Sequence, residues 1–374
     1  MSILGIVFSY SERENLRELT RLRTIASLPM AGKYRIIDFL ISNFVNDDIY
    51  DIAVIARDNY HSLMDHLGAG MEWDLIRKRG GLRVLTPYAK SESGRDGLYR
   101  GSVEALSNNM HSFRRSMGDL VIMAEASILY SIDFNHLAKT HLNSNADITA
   151  VYTKQLNGHP TVPMGVAVMH FNENNRLYDL NINKDDMSAQ DVCWSIGVFV
   201  IKKSLLMSLV ADAMAYGKYD FLEDIIKRLS NRLDIQGYEY KGHLLEVSSV
   251  AGYMKANMNF LNANFRNRAF HRPIYTKSKD SVPARYCKGC CVKNSIISDG
   301  CRIEGTVINS VISRNVFIGK DSIVKNSVIM QNTEIMQGVS LDNVILDKDV
   351  IVRENRQLSG HETYPVVVEK ASII

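Results

Sequence analysis

The sequence predicts an α/β protein in two parts: a mostly parallel sheet layered with helices over residues 1–250, and a parallel β-helix over 286–374, joined by a helix and linker at 251–285. Two observations carry this. Short, continuously apolar runs alternate with helical patterns through the first 250 residues, as a sheet covered on both faces requires. Past Ser281 that alternation stops, and apolar tetrads recur with a period of 15 to 17 residues. At 374 residues and 46% apolar side chains, the chain can bury one large core or two ordinary ones.

Ile3–Phe8 reads as the first strand, followed by a polar turn and a helix start, where Ser11 with Glu14 three positions on forms a capping box. Further strands are expected at 49–56, 82–87, 120–124 and 148–152. Helices are expected at 59–67, 102–117 and 133–141, the second with Ser102 as its N-cap. An antiparallel elaboration fits 164–200, and helical runs follow at 221–233 and 250–265.

Three sets of tetrads make up the rest. One ends at Ile297, Ile312, Ile329 and Ile345, a second at Ile303, Ile318, Ile335 and Ile351, and a third at Ile308, Val324 and Leu341. Most open on Asn, Asp or Gly, so the expected coil has three short strands, a turn residue between them, and one apolar side chain per strand stacked inward. Period alone leaves the hand of the coil open, while the interval of mostly five to six residues favours the hexapeptide type. Exposed strand edges and apolar rims on such a stack are normally covered by association, so oligomers are expected.

A formal charge of +3, with Lys and Arg scattered, offers no surface for nucleic acid. No run reaches roughly 18 apolar residues and no signal-peptide pattern opens the chain, so no membrane contact and a cytoplasmic location are expected. Five cysteines suit a reducing compartment. Cys287, Cys290, Cys291 and Cys301 lack the two separated short-spaced pairs of a structural zinc site, and no metal is expected there. His61 and His66 read as helix-surface or packing residues.

Several stretches then carry a resemblance: "GKYRIIDFLISNFVN" at 32–46, "LYRGSVEAL" at 98–106, "SIGVFV" at 195–200, "FLEDII" at 221–226, "YMKANMNFL" at 253–261, and the β-helix. Over essentially its whole length the chain resembles bacterial glucose-1-phosphate adenylyltransferase, the ADP-glucose pyrophosphorylase family. More closely, it resembles the non-catalytic, regulatory-subunit type found in Gram-positive bacteria. That resemblance implies a Rossmann-like nucleotidyltransferase domain, catalytically degenerate here, followed by a left-handed parallel β-helix.

In that family the phosphate loop reads like "AGGRGTRLxxLT", whereas here the positions read "SYSERENLRELT". Glycines whose backbone N–H groups would face phosphate become Tyr10, Ser11 and Arg13; Glu12 adds an acid, and the arginine beside the helix becomes Asn15. The lysine of the family's "KPA" becomes Ile25. Ala126, preceded by Glu125, stands for the aspartate that holds Mg²⁺, and Glu246 stands for the second metal aspartate. Ser11, Glu12, Asn15, Ile25, Ala126 and Glu246 are therefore degenerate catalytic positions, with no metal site expected. Losing one preorganised electrostatic contact costs about 3 kcal/mol of transition-state stabilisation, and here several go together.

By the same resemblance, Tyr99, Arg100, Gly101 and Glu104 match the nucleotide-facing segment and, with Lys184, are the ligand-binding candidates. Arg21, Arg23, Lys33 and Arg35 are effector-site candidates. On the residues alone, Arg21 and Arg23 read equally as a solvated pair beside Leu22, and Lys33, Arg35 and Asp38 as a salt-bridged fold element. The implied function is a regulatory subunit that joins a catalytic glucose-1-phosphate adenylyltransferase subunit in a mixed tetramer, with a homo-oligomer possible alone. It would modulate synthesis of ADP-glucose from ATP and glucose 1-phosphate for glycogen, with no cofactor of its own and Mg²⁺ in the catalytic partner. Two alternatives stay open: a weakly active adenylyltransferase with its metal relocated to Glu125 and Glu246, and a sugar-nucleotide-binding sensor or scaffold.

Overall fold

The computed structural model describes residues 2–11, 15–87, 99–154, 165–183 and 192–374. Its strands through the α/β region are β1 (Ile3–Phe8), β2 (Pro29–Met30), β3 (Tyr34–Arg35), β4 (Asp51–Ile55), β5 (Gly81–Leu85), β6 (Leu120–Glu125), β7 (Ile128–Tyr130), β8 (Ile148–Thr153), β9 (Ala167–Phe171), β10 (Leu177–Ile182), β11 (Trp194–Lys202), β12 (Ile235–Glu239) and β13 (Leu244–Glu246). The helices are α1 (Ile36–Asn46), α2 (His61–Leu67), α3 (Ser102–Asn108), α4 (Met110–Arg115), α5 (Phe134–Ser144), α6 (Lys203–Ala215), α7 (Val250–Asn259) and α8 (Ala263–Ala269).

Strands β5, β4, β1 and β6 lie side by side and parallel. Antiparallel β11 separates β6 from β8, and β12 pairs parallel with β8. The β9–β10 pair is the antiparallel elaboration. Alternation along β1 explains its unbroken apolar run. Ile3 and Val7 pack with Phe44 and Phe134 on one face, while Leu4 and Ile6 pack with Val103, Leu106 and Val210 on the other.

Four local expectations are corrected. Among the described residues, β1 is followed by 3-10 turns at Arg17–Leu19 and Ile25–Ser27 and not by an α-helix; Glu12, Arg13 and Glu14, and so the capping box, lie outside the described residues. The helix expected at 102–117 breaks at Asn109, whose amide donates to the Ala105 carbonyl and the Tyr99 hydroxyl, a local bond that competes with the helix ladder. Its cap position is Gly101, and the Ser102 hydroxyl instead accepts from the Phe221 N–H at 2.9 Å. The run expected at 250–265 is two helices, capped by Ser249 and by Asn262.

Residues 285–368 wind through three five-stranded parallel sheets, the three faces of the β-helix. Asn294, Asn309, Asn326 and Asn343 turn one corner with φ of 44°, 48°, 47° and 53°, the left-handed region that asparagine tolerates. The register corrects three tetrads. Val307, not Ile308, stacks with Val324 and Leu341; Val352, not Ile351, follows Ile335; and Leu346, not Ile345, follows Ile329. Ile345 is buried on the other side of its sheet. With Val311 and Val328 it packs against Leu28, Tyr253 and Met254 of the α/β region, so a continuous apolar seam joins the two parts.

Candidate functional site

The cleft lies at the C-terminal ends of β1 and β6, where phosphate is bound in open α/β sheets. Tyr10, just past β1, is buried against Phe8 with ring centroids 5.9 Å apart, and the Arg57 guanidinium lies 4.8 Å from the centre of its ring. By the resemblance, this buried aromatic side chain takes a glycine position of the family's phosphate loop. At the end of the loop the Asn15 N–H donates to the Ser248 carbonyl at 2.6 Å, tying the loop to the segment after β13. Among the described residues, two cavities there, of about 80 Å³ and about 40 Å³, both touch Ser11, Glu125 and Gly197.

The described residues around these cavities are apolar side chains, serines and acids. Ala126 is buried and brings no ligand atom; Ile25 is buried among Leu16, Leu19 and Leu28, so it is a core residue of the α/β region. Glu246 and Glu125 face the same small cavity. Burial pushes the Glu246 carboxyl up to about 7; the Ser248 N–H that it accepts at 2.8 Å opposes that rise, and nearby Glu125 adds to it. Among the described residues, no three His, Cys, Asp or Glu side chains converge as a metal set. Gly197 lets β11 bulge past this point: its φ is +72°, and a Cβ there would sit 3.0 Å from the Glu125 Cβ.

The ligand-binding candidates gather at the start of α3, where each has a structural partner. Arg100 makes a 2.8 Å ion pair with Glu104 and lies 3.8 Å from the centre of the Tyr219 ring. Burial pushes the Glu104 carboxyl up, but the bonds from Arg100 outweigh this and hold it below its ordinary value. Tyr99 is buried in the core, and a Cβ on Gly101 would meet the Tyr219 carbonyl at 2.4 Å. Lys184 lies outside the described residues.

The effector-site candidates separate. Arg23 is buried, with a bidentate pair to Asp347 at 2.7 and 2.6 Å, and is not the solvated charge that it resembles beside Leu22. Arg21 is exposed and pairs with Glu369 at 2.8 Å. Arg35 donates to the Ser62 carbonyl and hydroxyl, and burial lowers it to about 10. Lys33 points elsewhere, its ammonium 4.9 Å from the centre of the Tyr34 ring. Sequence reasoning missed Lys348. Burial, with Arg35 and Arg23 close by, lowers its ammonium to about 7. Nothing in "LDKDV" alone marks it, because its neighbours come from the first forty residues. Asp38, also buried, accepts from the Arg35 N–H and meets His66 at 2.5 Å, so His66 is a packing residue.

The Nucleotidyl transferase family profile matches residues 11–262, and the GlmU-like, C-terminal hexapeptide profile matches residues 282–363. The coil is accordingly a left-handed β-helix of hexapeptide type. The chain is 31% identical over 374 residues to the glycogen biosynthesis protein GlgD of Bacillus subtilis (strain 168), covering 99% of this chain and 96% of that one. It is 33% identical over 324 residues to the GlgD of Geobacillus stearothermophilus, covering 86% and 82%. With the glucose-1-phosphate adenylyltransferase of Fervidobacterium nodosum (strain ATCC 35602 / DSM 5306 / Rt17-B1) it shares 28% over 370 residues, covering 96% and 86%. The chain belongs to the nucleotidyl transferase family, and within it to the group of the glycogen biosynthesis protein GlgD.

Proposed function

We propose that this chain is a regulatory subunit in glycogen biosynthesis, which modulates a catalytic glucose-1-phosphate adenylyltransferase and performs no nucleotidyl transfer itself. The observation that supports the reading is the buried Tyr10, with the Arg57 guanidinium over its ring, at a position where the family's loop has glycine, beside a strand end where Ala126 brings no side-chain metal ligand. Transfer of an adenylyl group needs aligned phosphates and neutralised charge together, and among the described residues of this cleft no side chain takes over either task. The likeness to GlgD supports the pathway. Mg²⁺ belongs to the catalytic partner, and this chain needs no cofactor. The working complex is a mixed tetramer in the cytoplasm; among the described residues no helix is long and apolar enough to cross a membrane.

Regulation requires that the partner's states be distinguished by contact with this chain. The basic cluster of Arg23, Arg35 and Lys348 at the seam is the place where an anionic effector would act on both parts at once. The reading is tested by mixing the chain with a catalytic homologue and measuring ADP-glucose synthesis. A stable complex with altered KM, kcat or effector response supports it, and a chain that neither associates nor changes those constants refutes it. The relocated-metal alternative rests on Glu125 and Glu246 sharing a cavity. It requires Mg²⁺-dependent turnover by the chain alone that Glu246→Gln abolishes.

A further inference from the structure

Four of the five cysteines lie within residues 287–301, where the β-helix begins. Two strands of its first coil, β14 (Arg285–Tyr286) and β15 (Cys291–Lys293), are joined by the corner Cys287, Lys288, Gly289 and Cys290. The Cys290 N–H donates to the Cys287 carbonyl at 3.1 Å, and Gly289 has a φ of +91°, the left-handed value that the third residue of a type II turn takes. Such a turn holds its first and last Cα atoms within about 7 Å of each other, and a disulfide spans Cα atoms about 4.4–6.8 Å apart. Both thiols are free and half-buried, with exposed Lys288 and Gly289 between them. Arg302, in the strand paired with β14, is raised above its ordinary value first by its bond to Glu304 and then by Cys287. A partly exposed thiol beside a cation has the surroundings of a reactive cysteine. Cys301 is of the other kind. It is buried, burial pushes its thiol up, and it donates to the Ser313 carbonyl at 3.0 Å. Cys291 begins β15, where its N–H donates to the Gly305 carbonyl and it pairs with Thr306, so the strand carries it away from Cys287.

We infer that Cys287 and Cys290 are a reversible dithiol site, which a small disulfide oxidant of the glutathione type converts to an intrachain disulfide across this corner. The Cys287 thiolate attacks one sulfur of the oxidant, forming a mixed disulfide and releasing the first glutathione. The Cys290 thiolate then attacks the Cys287 sulfur, the protein S–S bond forms, and the second glutathione leaves. Two cysteines are oxidised and one glutathione disulfide is reduced, and the two protons that the protein thiols lose end on the two glutathione thiols. The bridge fixes the corner between β14 and β15. Among the described residues these strands are paired on one side only, so the site stands at the open end of the stack, where a strand edge is available for association. It lies outside the cleft, and its chemistry does not depend on the regulatory role proposed above.

The test equilibrates the full chain with reduced and oxidised glutathione at graded ratios, traps the free thiols by alkylation and digests with trypsin. Trypsin cuts after Lys288 and so parts Cys287 from Cys290 unless a disulfide joins them. A bridge between the two resulting peptides is expected, with titratable thiols falling from five to three and recovering in excess reduced glutathione. Because the turn is preset, the folded chain is expected to close the bridge at a share of glutathione disulfide at least about tenfold lower than the chain unfolded in urea does. Cys290→Ser is expected to abolish the bridge and leave Cys287 as a glutathione adduct, whereas Cys291→Ser keeps it. No bridge at any ratio, a bridge that Cys291→Ser removes, or equal closure in the folded and unfolded chains overturns the inference.

Discussion

Single side chains decide what this cleft can do. Glu246 stands where the resemblance expects a metal carboxylate, yet its carboxyl is raised from 4.5 to about 7. Between those values the folded protein holds a proton that the unfolded chain has released, so stability falls as pH rises through that window, and the full penalty remains above it. Glu246→Gln is expected to remove that slope. Its unfolding free energy should exceed the parent's at pH 8 by an amount on the order of 1–3 kcal/mol, read by denaturant unfolding, and the gain should vanish near pH 4.5; an equal gain at both pH values contradicts the assignment. Lys348 runs the other way. Lowered from 10.5 to about 7, it adds stability as pH rises across that interval. An anion bound beside it must raise its pKa, so binding of sulfate, which does not titrate in this range, at this cluster is expected to take up protons and weaken above about pH 7, which calorimetry in buffers of different ionisation heat reads directly. The loss of phosphate-loop glycines was legible from "SYSERENLRELT", and the absence of a lysine from Ile25. That Tyr10 folds inward and is covered by Arg57 was not legible, because Arg57 reaches it from the end of β4, on another strand of the sheet.

At the scale of elements, the β-helix was the most legible part, since each coil restates the same turn residues and one inward side chain. What the tetrads left ambiguous was the register, off by one at Ile308, Ile345 and Ile351. The sheet that carries Ile345 is buried on both faces, so there two neighbouring apolar residues compete for the inward place; at Ile308 and Ile351 the inward residue is simply the adjacent valine. Ile329 is a stacked, fully buried member of this column. Ile329→Ala is expected to cost about 2–5 kcal/mol, read by denaturant unfolding, while Ile323→Ala on the exposed side of its strand should cost far less. Helix boundaries were less legible than helix existence. Asn109 and Asn262 interrupt the periodicity through bonds to nearby backbone, which an apolar pattern does not register. The bulge at Gly197 is a further element feature with a measurable cost. Gly197→Ala is expected to destabilise by about 1–3 kcal/mol, because the backbone is left-handed there and Glu125 stands behind it.

For the whole molecule, the seam turns two folds into one mechanical unit. Arg23 comes from the first thirty residues and Asp347 from the last thirty, and both are buried where they meet. Asp347→Asn leaves an uncompensated guanidinium between the two parts, with an expected cost of about 3–5 kcal/mol and loss of a single unfolding transition by calorimetry. A chain that keeps its cooperativity and its stability would show the seam to be weaker than its burial indicates. This coupling is also what a regulatory subunit needs, because an anion or a partner bound at the seam is felt on both sides of it. The sequence could name the residues of that seam only one by one, and their meeting is a property of the docked fold. The central claim is that the cleft has exchanged phosphate binding for internal packing. The most direct measurement is ADP-glucose formation by the purified chain alone, supplied with ATP, glucose 1-phosphate and Mg²⁺. Product indistinguishable from the blank is expected, and sustained turnover that depends on enzyme concentration and on Mg²⁺ would contradict it.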